Sequence, residues 1–241
     1  MVSTRGHPKA FPEPDLTPSK SSSPSKSSTP SRARKGKWAH APPTLAIVWL
    51  LVSLPLVAWD CGYVLLRPHS MPGGKLQWPL FVPYELYVEM DYVYGWKAYN
   101  ERNGFTSAQG FLNIIESLMY VYYLYLVFTH GRKATVRRGA KATTGGFLAQ
   151  RYVDGKTGAL ATLLVFTAAV MTLSKTILYW ANEYFSGFSN IGHNPPQLIL
   201  LWVVLNGAWL VLPAYITYFT GEEILQGLAG GTAGSDEAKS E

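Results

Sequence analysis

The sequence predicts an all-α integral membrane protein, a four-helix transmembrane bundle preceded by a disordered cytoplasmic tail. Three observations carry this. Four windows, residues 44–66, 108–128, 159–180 and 197–220, each hold no more than one charged side chain. About 20 such residues span a ~30 Å hydrocarbon layer as a helix. A soluble domain of 241 residues has no room to cover four spans of this kind. Basic residues are also distributed unevenly between the connecting segments. The first 43 residues hold eight Lys or Arg and the segment between the second and third windows holds seven, while the segment after the third holds none. Positive charge stays on the cytoplasmic side, which predicts that both termini are cytoplasmic.

Residues 1–43 are rich in Ser, Pro and Lys and bury too little surface to offset chain entropy, so they are expected to be disordered. The basic cluster Arg32, Arg34, Lys35 and Lys37 beside Trp38 suits anionic headgroups. The first window contains Pro55, which predicts a kink. The segment 67–107 is aromatic and carries Glu85, Glu89 and Asp91, so it is no span; it suits an amphipathic lid at the membrane interface. Residues 221–241 read as a second disordered tail. The formal net charge of +6 is explained by membrane orientation, and nucleic acid is not an expected partner. Cys61 is the only cysteine, which excludes an internal disulfide and a cysteine-based zinc site. No pair of histidines has metal-ligand spacing, and no glycine-rich phosphate loop is present, so no metal or cofactor is expected.

The polar residues inside the windows are the candidate site. Asn113, Glu116, Tyr120 and Tyr123 share one helical stripe, as do Thr172, Lys175, Tyr179 and Asn182, and Trp202, Asn206, Trp209 and Pro213. Asp60 comes from the first window. Counted from the lumenal ends at ~1.5 Å per residue, Asp60, Lys175, Glu116 and Asn206 lie roughly 8 to 13 Å deep, in one half of the bilayer. Polar groups in lipid turn inward, so the stripes predict one polar pocket walled by Tyr and Trp. Plainer readings exist for most of them. Asp60 and Lys175 also fit a structural ion pair, Lys175 can snorkel to the interface, and Asn206 fits an interhelical hydrogen bond. Glu116, the deepest acid, is expected to bind a ligand or move a proton. Lys175, Tyr120, Tyr123 and Trp202 are expected to line the ligand site.

The run "ILYWANEYFSGFSNIGHNPPQLILLWVVLNGAWLVLPAYI", residues 177–216, resembles the last two helices of the emopamil-binding protein family, above all in "NGAWLVLP". "GWKAYNERNGF" is similar to that family's Trp-Lys-x-Tyr stretch, and "VAWDCGYVLL" to the end of its first core helix. The likeness covers about residues 47–218, the whole EXPERA-type domain. It implies residence in the endoplasmic reticulum and a pocket for a sterol or related polycyclic terpenoid opening toward membrane lipid; a homodimer is one assembly the sequence leaves open. It also implies a sterol Δ8–Δ7 isomerase-like activity, with Asp60 and Glu116 as acid and base, Asn206 orienting an acid and Trp209 facing a carbocation. A desolvated carboxyl donates protons near neutral pH, and an aromatic face stabilises a cation without attacking it. The family's isomerase has a histidine where this chain has Leu56 and a threonine where it has Met119. Members that bind sterols or drugs without isomerising them keep both acids, so a non-catalytic lipid-handling role is the alternative the resemblance leaves open.

Overall fold

The computed structural model describes residues 38–133 and 148–238. The Ser/Pro/Lys-rich tail up to residue 37, and Arg137, Arg138 and Lys141 of the basic segment, lie outside the described residues. Among the described residues, four helices are long and apolar enough to cross a membrane: α1 (Thr44–Leu65), α4 (Phe105–His130), α5 (Gly155–Phe185) and α6 (Pro196–Ala238). The chain is a multi-pass membrane protein. Two short helices, α2 (Tyr84–Met90) and α3 (Trp96–Asn100), lie in the segment between α1 and α4.

Each long helix has a local cause. Pro42 and Pro43 cannot continue a ladder backwards, so α1 begins directly after them. Pro55 inside α1 and Pro213 inside α6 each remove one ladder hydrogen bond, which neighbouring helices in a membrane tolerate. Large apolar side chains such as Val52, Phe111, Leu118, Leu163 and Val211 point outward, where lipid covers them. Ala161, Ala168, Ala169 and Thr172 of α5 are buried, and small residues of this kind let backbones approach closely. Accordingly α5 packs along both α4 and α6, and α4 along α1, while α1 and α6 touch only sparsely. This leaves a gap in the ring.

One end of the bundle is tied by three short antiparallel strands in the order β1 (Ala39–His40), β3 (Arg151–Asp154), β2 (Arg132–Lys133). Ala39 pairs with Asp154, and Arg132 with Tyr152. Two expectations are corrected here. Residues 38–43 are ordered rather than part of a disordered tail, and α6 continues past residue 220 through Ala238. One cluster explains both. His40, fully buried, places Nδ1 2.6 Å from Glu223 Oε2 and Nε2 3.0 Å from the Tyr123 hydroxyl. Ala41 N–H donates to Glu223 Oε1 at 3.0 Å, and Trp38 Nε1 to the Glu223 carbonyl at 3.1 Å. A buried polar group needs such partners, so the strand before α1 is held against α6 at Glu223.

At the other end, the segment between α1 and α4 folds down onto the bundle. Tyr63 of α1 stacks on Tyr84 at 3.7 Å between centroids and donates to the Tyr94 carbonyl. Met71, Phe81 and Val88 are buried around them. Trp59 Nε1 donates to the Leu80 carbonyl at 2.9 Å. The α5–α6 turn closes over this segment: His193 stacks on Tyr92 at 3.9 Å, and Asn194 donates to the Met90 carbonyl. What the sequence presented as an interfacial lid is a layer whose inner face belongs to the core.

Candidate functional site

A cavity of about 390 Å³ sits beneath that layer, bounded by α1, α2, α4, α5 and α6. Its size falls in the range of small-molecule pockets. Asp60, Asn113, Lys175, Asn206 and Trp209 line it, together with Trp59, Tyr84, Tyr87, Tyr94 and Tyr179. Exposed leucines Leu56 of α1 and Leu201 and Leu205 of α6 stand on its rim. They flank the sparse α1–α6 contact, so the opening is apolar and lateral.

Asp60 is the carboxylate on the wall. The Tyr84 hydroxyl donates to its Oδ1 at 2.7 Å. Burial and the neighbouring carboxylate push the Tyr84 phenol up, so it stays protonated and remains a donor. Asp60 and Lys175 do not form an ion pair. Helices α4 and α5 are neighbours, and Lys175 is taken by Glu116 instead.

Glu116 lies off the cavity wall and is 3% exposed. Lys175 Nζ reaches its Oε1 at 2.9 Å and its Oε2 at 2.8 Å, and also donates to Asn113 Oδ1. Thr172 donates to Glu116 Oε2 at 2.8 Å, and the Tyr120 hydroxyl lies 3.2 Å from Thr172 Oγ1. Both carboxylate oxygens and the ammonium are therefore satisfied inside the bundle, the condition under which a buried pair is tolerated. The pair is neutral as a unit, and Lys175 stands between Glu116 and the cavity.

The remaining candidates fall in different places. Asn206 lines the cavity and donates to the Trp202 carbonyl at 2.9 Å, one turn back on α6. Trp209 lines it too and meets Trp49 edge-on at 5.1 Å. Tyr120 is buried behind the wall beside Thr172, and Tyr123 belongs to the His40 cluster at the other end. Trp202 is buried behind Tyr179 with its indole N–H 2.7 Å from Asp91 Oδ2. Asp60, Lys175, Asn206 and Trp209 are brought together; Glu116 joins them only through Lys175.

Asp91 is the acid that sequence reasoning missed. It is fully buried and accepts from the Tyr179 hydroxyl, from Trp202 Nε1 and, at 3.1 Å, from Val93 N–H. Burial raises its pKa, and these donors offset part of the rise. A signal was present: Tyr84, Tyr87 and Asp91 follow at i, i+3 and i+7, one helical stripe outside the apolar windows. The Tyr87 phenol faces Asn206 and Tyr179, which links this second acid to the cavity wall. Among the described residues, no three His, Cys, Asp or Glu side chains form a metal-binding group. Comparison with family models, with curated proteins and with solved structures finds no match for the chain.

Proposed function

We propose that this membrane protein is an intramembrane isomerase of the emopamil-binding type, shifting a double bond in a sterol or related polycyclic terpenoid in the endoplasmic reticulum. One observation carries the reading: a carboxyl group, Asp60, held by Tyr84 on the wall of a largely aromatic and apolar cavity that opens sideways between α1 and α6. A lipid-dissolved polycycle enters such a cavity without crossing water. Adding a proton to the substrate alkene creates a cation, and losing a different proton restores the alkene one position along. The protein supplies a proton carrier and an environment that stabilises the cation.

Asp60 in its protonated form donates to the alkene, and Tyr84 steadies the carboxylate that remains. Trp209, Trp59 and the tyrosines of the wall offer ring faces to the cation. Asn206 orients polar groups at the α6 side. Glu116 acts indirectly, fixing the Lys175 ammonium at the cavity edge. The threonine that the family's isomerase carries after this acid is Met119 here, and a hydroxyl reaches Glu116 from Thr172 on α5 instead.

Sterol profiles test this in cells lacking their own sterol isomerase. The wild-type chain is expected to restore Δ7 sterols at the expense of Δ8 sterols, and an unchanged ratio would exclude sterol isomerisation. A second reading, a non-catalytic sterol-binding protein, is favoured by the neutralised Glu116–Lys175 pair and by Leu56 on the cavity wall in place of the isomerase's histidine. Saturable binding of a radiolabelled sterol without conversion would select it.

A further inference from the structure

The reaction proposed above needs a group that removes a proton as well as one that adds it. Asp60 accounts for one. Glu116 is a poor second, since Lys175 and Thr172 occupy both of its oxygens and it does not reach the cavity.

Resting on the isomerase reading, we propose that Asp91 and Tyr179 form the proton-accepting unit of the cavity, with Tyr179 as the group that touches substrate and Asp91 as the residue behind it. Tyr179 of α5 lines the cavity, and its hydroxyl points its hydrogen at Asp91 Oδ2. Trp202 Nε1 donates to the same oxygen at 2.7 Å and Val93 N–H to Oδ1 at 3.1 Å, so the carboxylate is fixed by groups from α6 and from its own turn. Stacking of Tyr179 against Trp202 at 5.7 Å and Phe105 at 6.2 Å holds the ring in that plane. Among the described residues no Lys or Arg side chain bonds to Asp91, unlike Glu116 with its lysine. Burial of Asp91 also favours its neutral form, so it gains from receiving a proton.

The step balances. The C–H bond next to the substrate cation breaks, and its electron pair becomes the new double bond. The departing proton goes to the Tyr179 oxygen as the Tyr179 phenolic proton moves to Asp91 Oδ2. One proton has entered from Asp60 and one has left to Asp91, and exchange with water restores both groups before the next turnover. No oxidant or reductant is involved.

The test uses the full-length protein in lipid nanodiscs with a Δ8 sterol, comparing wild type, Asp91→Asn and Tyr179→Phe. Asparagine still accepts from Trp202 and Tyr179 but cannot take the proton, and phenylalanine keeps the stacked ring. Both variants are expected to lose about 100-fold or more in kcat, within the range of general acid–base catalysis, with KM and sterol affinity changed less than about threefold. Retention of kcat within about threefold in Tyr179→Phe would overturn the relay, even if Asp91→Asn does not fold. A parallel loss of affinity and kcat in both variants would also overturn it, since that marks a cavity that has collapsed. Wild type that binds the sterol without converting it removes the reaction itself, and the relay with it, an outcome separate from either of those.

Discussion

Lys175 on α5 closes on both oxygens of Glu116 on α4, at 2.9 and 2.8 Å, and so turns the most deeply placed acid of the sequence into half of a neutral pair. The pair joins two helices and sets the position of the one cationic group that lines the cavity among the described residues.

Removing one member strands the other. Glu116→Gln is expected to destabilise the protein by about 3–5 kcal/mol, because the Lys175 ammonium is left uncompensated inside the bundle. Glu116→Leu combined with Lys175→Met is expected to recover most of that loss. Thermal unfolding of the single and double variants in detergent gives the coupling; additive single effects would contradict the pairing.

A separate stability difference is expected at Asp91. Asp91→Ala leaves the Tyr179 hydroxyl and Trp202 Nε1 without their acceptor, at about 1–3 kcal/mol for each buried unsatisfied group. Asp91→Asn keeps an acceptor for both and is expected to lose less than half as much. Denaturant titration of the two variants measures the difference.

How much of this was legible in the sequence depends on the range of the interaction. The four spans follow from length and apolarity, properties that each window carries alone. The inward stripes brought Asp60, Lys175, Asn206 and Trp209 to one cavity, because helical periodicity and depth are local too. Pairing was less legible. Depth alone could not say that Lys175 chooses Glu116 over Asp60, since that depends on which helices are neighbours. Asp91 was hidden by composition, lying among tyrosines in a charge-balanced segment with none of the apolarity that marks a span. The ordering of residues 38–43 and of α6 beyond residue 220 rests on Trp38 and His40 meeting Glu223 from 185 and 183 positions away, which no window contains.

That contact makes its own prediction. Glu223→Gln weakens the bonds to His40 and Ala41 at the end of the bundle opposite the cavity. It is expected to lower stability by about 1–3 kcal/mol while leaving sterol affinity unchanged, as expected for weakening hydrogen bonds to a charged acceptor. Thermal unfolding paired with a sterol-binding isotherm checks both halves.

The lateral opening can be closed by bulk. Leu205→Trp places a larger apolar side chain at the exposed rim on α6, next to the gap with α1. Sterol association is expected to slow by about tenfold with no loss of stability, because the substituted side chain already faces lipid. An unchanged association rate, measured by fluorescent-sterol binding in nanodiscs, would place the entrance elsewhere.

Proton transfer from Asp60 to a substrate alkene is the central claim, and isotope incorporation tests it most directly. Purified protein in nanodiscs is given a Δ8 sterol in D2O, and the product is analysed by mass spectrometry. The wild type is expected to yield Δ7 product carrying one deuterium, and Asp60→Asn to yield little or none. Deuterated product formed equally well by Asp60→Asn, or no product from the wild type, would contradict the account.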